Sequence, residues 1–309
     1  MSDPINILFP GQGAQHVGMG RAWAEHSAEA RRTFEAADRA LGIDLSRLCF
    51  GGPEDDLTRT DVAQAAIYVA SVACCRAMAE AGELDWGAVG ATAGLSLGEY
   101  TALWAAGAFS FEDGLSLVRQ RGRFMQAAAA ASPSGMVALI GADEAQAGEL
   151  CRRAAGDGVL VPANFNCPGQ VVVSGSSDAC ERALTAAEAM GLRASALSVA
   201  GAFHSPLMRP AAERMAEALD EAAWNAPEAT VMSNVTGRPH AADVASVKSL
   251  LVEQIVKPVR WADNVRWLID QAPGRFVEPA PGKVISGLMR RIDRKTRVDN
   301  FAEPAASAA

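Results

Sequence analysis

Ile5-Asn6-Ile7-Leu8-Phe9 is apolar at four of five positions and stops at Pro10-Gly11-Gln12-Gly13, which predicts a short buried strand closed by a turn. Helical patterning dominates from about Arg21 to Ala81. Within it, Thr60-Asp61-Val62-Ala63-Gln64 reads as a helix start leading into an alanine-rich helix that is apolar on most sides and therefore central. Val89 to Ala93 is small and apolar, as a buried parallel strand requires. Gly94-Leu95-Ser96-Leu97-Gly98 follows, and a helix is expected from Glu99. The result is a strand, a tight turn and a helix around one serine.

A second rhythm occupies residues 132–200. Strands are expected at Met136–Ile140, Val159–Phe165, Gln170–Ser174 and Ala194–Val199, with helices at Asp143–Ala155 and Asp178–Met190. This β-α-β-β-α-β order is the ferredoxin-like unit. The predicted fold class is therefore α/β, a hydrolase-like domain with a parallel-sheet core (residues 1–131 and 201–309) carrying an inserted ferredoxin-like subdomain (132–200). Beyond the insertion the pattern predicts helices near Pro206–Ala222, Val244–Val256 and Arg260–Gln271, and strands at Thr230–Asn234 and Arg275–Glu278. The tail Ala302–Ala309 is small and expected to fray.

Composition narrows the class. At 309 residues, half of them apolar, the chain can bury a large core without disulfide or metal support. A formal net charge of −8 argues against general affinity for nucleic acid. The six cysteines show no metal-ligand spacing, and free thiols in a reducing cytoplasm fit them best. Met1-Ser2-Asp3 carries no basic region, so the first apolar run reads as a strand rather than a signal peptide. No charge-free apolar stretch reaches the about 20 residues of a membrane span. A soluble, cytoplasmic, monomeric protein with no membrane partner is the expectation.

The candidate chemistry centres on Ser96. A serine hydroxyl needs a base to take its proton and fixed donors for the oxyanion that follows. In the G-x-S-x-G turn the Leu97 N–H points at the reacting position and is the first oxyanion donor. Among the four histidines, His16 and His26 read as structural or solvated, and His240 falls in a surface turn. His204 lies in Gly201-Ala202-Phe203-His204-Ser205-Pro206, a loop leaving the inserted unit, where it suits a base. A helix-capping or packing role competes with that reading. Taken alone, these residues support a generic serine hydrolase.

Six segments in order narrow the choice: Phe9-Pro10-Gly11-Gln12-Gly13-Ala14-Gln15, Gly94-Leu95-Ser96-Leu97-Gly98-Glu99-Tyr100, Gln120-Arg121-Gly122, Asn164-Phe165-Asn166, Gly201-Ala202-Phe203-His204-Ser205 and Pro281-Gly282-Lys283. Together they resemble the malonyl-CoA:acyl carrier protein transacylase family, which includes polyketide-synthase acyltransferase domains. The resemblance covers about residues 5 to 292. It implies that Ser96 is the nucleophile, His204 the base, and Gln12 with Leu97 the oxyanion hole. It also implies that the main-chain carbonyl of Gln254 orients the histidine, in keeping with the lack of a compelling third carboxylate.

The resemblance further assigns Arg121 to the free carboxylate of a malonyl group. A guanidinium suits that task, being planar, directional and always charged. Met125, Phe203 and Asn164 are the remaining substrate-binding candidates. The implied reaction is ping-pong, from malonyl-CoA to the phosphopantetheine thiol of acyl carrier protein, with no cofactor, in fatty-acid synthesis. A polyketide acyltransferase acting in trans and a serine thioesterase are the alternatives. Leu95 departs from the family, which commonly places histidine before the nucleophile. Arg290, Arg291, Arg294, Lys295 and Arg297 form the densest basic run, a carrier-protein docking surface or simply a solvated helix face.

Overall fold

The computed structural model describes residues 4–279 and 281–304; residues 1–3, 280 and 305–309, and with them part of the N-terminal and tail readings, lie outside the described residues. Strand β1 (Ile5–Phe9) precedes helices α1 (Arg21–His26), α2 (Ala28–Leu41), α3 (Leu45–Gly51), α4 (Glu54–Thr58) and α5 (Thr60–Glu80). Then come β2 (Val89–Gly94), α6 (Gly98–Ala105), α7 (Phe111–Ala130), β3 (Ser134–Ile140), α8 (Glu144–Ala154), β4 (Leu160–Cys167) and β5 (Gln170–Ser176). The chain continues through α9 (Ser177–Ala189), β6 (Arg193–Ala196), α10 (Arg209–Glu221), β7 (Thr230–Val231) and α11 (Val244–Val256). It ends with α12 (Trp261–Gln271), β8 (Arg275–Glu278), α13 (Val284–Ile292) and β9 (Val298–Asn300).

Two compact units emerge. The first comprises residues 1–122, 222–232 and 267–309, around a parallel sheet of order β7-β2-β1-β8-β9. All five residues of β1 are buried, which is why its sequence shows almost no polar alternation. Asn6 is tolerated there because its Nδ2 donates to the Ala272 carbonyl at 2.7 Å. Helix α5 is long and apolar enough, by length and composition, to cross a membrane, yet 89% of its most apolar window is buried inside the protein. It is the central helix its composition predicted.

The helical stretch from Arg21 breaks where capping chemistry breaks it. Ser27 turns extended and its Oγ accepts from the Ala30 N–H, starting α2, and Gly42 ends that helix with φ 64°.

The second unit comprises residues 123–221 and 233–266. Its sheet has the order β4-β5-β3-β6 with every pair antiparallel, which is the ferredoxin-like arrangement. Val137, Leu139, Leu150, Val171 and Val173 fill its core. Helix α8 begins with a capping box between Asp143 and Gln146. The sheet and its two helices run from Ser134 to Ala196. The compact unit around them also takes in the end of α7, α10 and α11, and its β4 edge binds Val259 through a parallel bridge at Asn164.

Two expectations need correction. The strand expected over Thr230–Asn234 stops at Val231, because the Ser233 N–H donates instead to the Arg238 carbonyl at 2.9 Å and closes a turn whose Gly237 has φ 65°. The helix expected from Pro206 opens as a single 3-10 turn, Pro206–Met208, before α10. Strand β9, three half-buried residues that pair in parallel with β8, lies outside the elements that the residue pattern predicts.

Candidate active site

The first unit builds its site at the end of β2. The Leu95 N–H donates to the Phe9 carbonyl at 2.9 Å, so the turn is held against β1. A Cβ on Gly94 would lie 1.8 Å from the Gly98 carbonyl carbon, and one on Gly98 would lie 2.5 Å from the Phe9 oxygen. Only glycine lets strand and helix approach this closely. Between them Ser96 takes φ 52°, a left-handed conformation costing a serine of the order of 1 kcal/mol. Leu97 then caps α6, and the turn closes through Gly98 N–H to Leu95 O (2.9 Å) and Glu99 N–H to Ser96 O (3.1 Å).

Arg121 comes to Ser96 from α7. It is 1% exposed, whereas Arg119 is half-buried and Arg123 exposed on the same helix. Its Nη2 donates to Ser96 Oγ at 3.1 Å and its Nη1 to Gln64 Oε1 at 2.6 Å. The guanidinium also lies 5.5 Å from the centre of the Tyr100 ring. Burial pulls its pKa below the ordinary value, against the opposing pull of Tyr100 and Glu99. An arginine so placed stays cationic at neutral pH. Burial also drives the Tyr100 hydroxyl upward, so it stays neutral. Gln12 lies in the turn after β1, with its side-chain Nε2 donating to Thr60 Oγ1 at 3.3 Å.

The second unit holds His204. Among the described residues, His204 (φ 57°) and Ser96 are the two non-glycine residues with positive φ. Strain of this kind persists only where surrounding bonds enforce it. Here Phe203 N–H donates to Gly201 O at 3.0 Å, and Ser205 Oγ donates to Ala202 O at 2.7 Å. The imidazole is 3% exposed, and its Nδ1 lies 2.7 Å from the Gln254 carbonyl oxygen. A carbonyl can only accept, so Nδ1 carries a proton, and in the neutral ring Nε2 has the lone pair. Met125 and Phe203 are buried in this unit, and Asn164 is half-buried in β4.

The structure thus brings Ser96 and Arg121 together in one unit, and His204 and the Gln254 carbonyl together in the other. Residues 7–301 match the acyl transferase domain family. Over 97% of this chain and 94% of its own length, the malonyl CoA-acyl carrier protein transacylase of Bacillus subtilis is 41% identical. A crystal structure of malonyl-CoA:acyl carrier protein transacylase from Xanthomonas oryzae superposes with a TM-score of 0.93 at 43% identity, covering 98% of this chain and 96% of that one. The chain belongs to the malonyl-CoA:acyl carrier protein transacylase family. It is an acyltransferase. A type II polyketide-synthase acyl-carrier protein in complex with its malonyl-transacylase is also similar, with a TM-score of 0.93, 35% identity and coverage of 97% of this chain and 96% of that one.

Sequence reasoning about this acyltransferase missed Gln64. The available signal was a glutamine interrupting the apolar run Val62–Ala70 just after the helix start at Thr60-Asp61. It also missed Glu278, a fully buried carboxylate at the end of β8. Its Oε1 accepts from the Ile285 N–H at 2.8 Å and its Oε2 from the Ser286 N–H at 3.0 Å, capping α13 from inside. Arg290 and Arg291 lie exposed in the last turn of α13. Among the described residues, no group of three or more His, Cys, Asp or Glu is placed to hold a metal ion.

Proposed function

We propose that this acyltransferase moves a malonyl group from malonyl-CoA to the phosphopantetheine thiol of acyl carrier protein through an ester on Ser96. The observation that carries this reading is the Arg121 guanidinium, buried and donating to Ser96 Oγ at 3.1 Å. A cation beside the nucleophile is matched to an acyl group with its own carboxylate, and a simple esterase has no use for it. Relatives named for malonyl transfer support the substrate, and the carrier-protein complex of a relative supports the acceptor.

In the first half-reaction His204 Nε2 takes the Ser96 proton as Oγ attacks the thioester carbonyl. The Gln12 and Leu97 N–H groups receive the oxyanion. Collapse breaks the C–S bond, and the imidazolium protonates the departing CoA sulfur. Arg121 then holds the malonyl carboxylate through both half-reactions. In the second, the carrier thiol gives its proton to His204 and attacks the ester, and Ser96 recovers its proton. Arg290 and Arg291 offer the acidic carrier protein a basic surface. Fatty-acid synthesis in the cytoplasm is the proposed setting.

Intact-protein mass spectrometry after mixing with a panel of acyl-CoAs tests this. We expect one malonyl adduct, absent in Ser96→Ala and discharged by holo carrier protein much faster than by water. Discharge to water at the same rate with or without carrier would make the protein a hydrolase. Comparing fatty-acid with polyketide carrier proteins as acceptors tests the setting.

A further inference from the structure

The carbonyl that holds His204 belongs to the last turn of α11. A helical carbonyl normally accepts from the N–H four residues on, and for Gln254 that residue is Pro258, which has none. Proline also disfavours helical conformation in the residue before it, and Lys257 is extended, with φ −115° and ψ 159°. The Lys257 N–H bond to Glu253 O, at 2.9 Å, is therefore the last of the helix. Just beyond, the chain is anchored on both sides. The Val259 N–H donates to Ala163 O and the Phe165 N–H to Val259 O, each at 2.8 Å, and the Arg260 N–H donates to Asn234 O at 2.8 Å.

We infer that Pro258 is a positioning residue that reserves the Gln254 carbonyl for His204 Nδ1–H and so keeps Nε2 as the basic nitrogen. The inference rests on His204 being the base. With an N–H at position 258 and no restriction on Lys257, α11 can close one more hydrogen bond, from the 258 N–H to the Gln254 carbonyl, ahead of the anchored Val259. The Gln254 carbonyl then aligns with the helix axis and shares its lone pairs with the new donor. The His204 ring loses its fixed tautomer, while the substrate contacts at Ser96 and Arg121 are untouched.

Two variants separate this role from a structural one. Pro258→Ala restores the N–H and favours helix, whereas Pro258→Gly restores the N–H and resists helix. Loss of unfolded-state restriction alone predicts a stability order of Pro, then Ala, then Gly. The expected activity order differs: Pro, then Gly, then Ala. For Ala we expect kcat for malonyl transfer to fall about tenfold, the size of a lost hydrogen bond to a charging group, with KM for malonyl-CoA unchanged.

The His204 Nδ1–H proton resonance, assigned by its absence in His204→Asn, should be protected from exchange in the parent and broadened in Pro258→Ala. Rates are scaled to the folded fraction of each variant. Activity that merely tracks stability, or a resonance unchanged in Pro258→Ala, overturns the assignment. If His204→Asn retains transfer, the base itself is wrong. If His204→Asn is inactive and Pro258→Ala matches the parent, only Pro258 is wrong.

Discussion

Replacing Arg121 with alanine is the sharpest probe of selectivity. The parent side chain is buried, bonded to Gln64 at 2.6 Å and to Ser96 at 3.1 Å, so it is fixed before substrate arrives. On the proposed reading, a malonyl carboxylate meeting that fork would form a desolvated, charge-assisted pair. Removing one partner of such a pair costs roughly 3–5 kcal/mol. The lower end applies, because the alanine variant leaves a space that water can enter to solvate the carboxylate. We therefore expect kcat/KM for malonyl-CoA to fall about 100-fold.

Acetyl-CoA has no carboxylate to lose, so its value should change little and the malonyl-to-acetyl ratio should fall by a similar factor. Arg121→Lys keeps the charge but not the fork, since one ammonium cannot reproduce both bonds of a planar guanidinium. It should fall between the two. The assay is the acylation burst with each thioester under single-turnover conditions. A ratio that stays constant while both rates drop would refute the reasoning and reduce Arg121 to a brace for the Ser96 turn.

Gly94→Ala should destabilise the protein by about 3 kcal/mol or more, because its Cβ falls 1.8 Å from a backbone carbon and the turn must open. Gly287→Ala, at an exposed position of α13, meets nothing within 4 Å and should stabilise by up to about 1 kcal/mol; denaturant midpoints compare the two. Burial raises the pKa of five of the cysteines, Cys151 being pushed up to about 12, so the reactive thiolate is scarce at pH 7 and grows only as pH climbs towards those values. Thiol-specific reagents at neutral pH should leave these five unmodified in the native protein and label them after unfolding. Rapid native labelling would mean that the packing around them opens.

Elements with strong local signals are legible in the residues themselves. The apolar run of β1, the surrounded helix α5, and the helices and strands of the ferredoxin-like sheet follow from residue period and from caps such as Asp143. The strand at Thr230 is overextended in a sequence reading because Met232 and Ser233 look like strand residues until a turn six residues long captures the Ser233 N–H. Strand β9 carries too few residues to show a period.

For the site, the chain by itself specified residue types and local backbone. The glycines at 94 and 98 dictate a turn only they can make, and Pro258 ends α11 beside Gln254, because sterics and missing N–H groups act within a few residues. Tertiary structure decided the partners. Arg121 and Gln64 are 57 positions apart, and His204 and Gln254 are 50 apart. Whether a guanidinium is solvated or buried against a serine, and whether a carbonyl meets an imidazole, depends on how helices pack. Packing sums many weak, non-local contacts that no window of sequence contains.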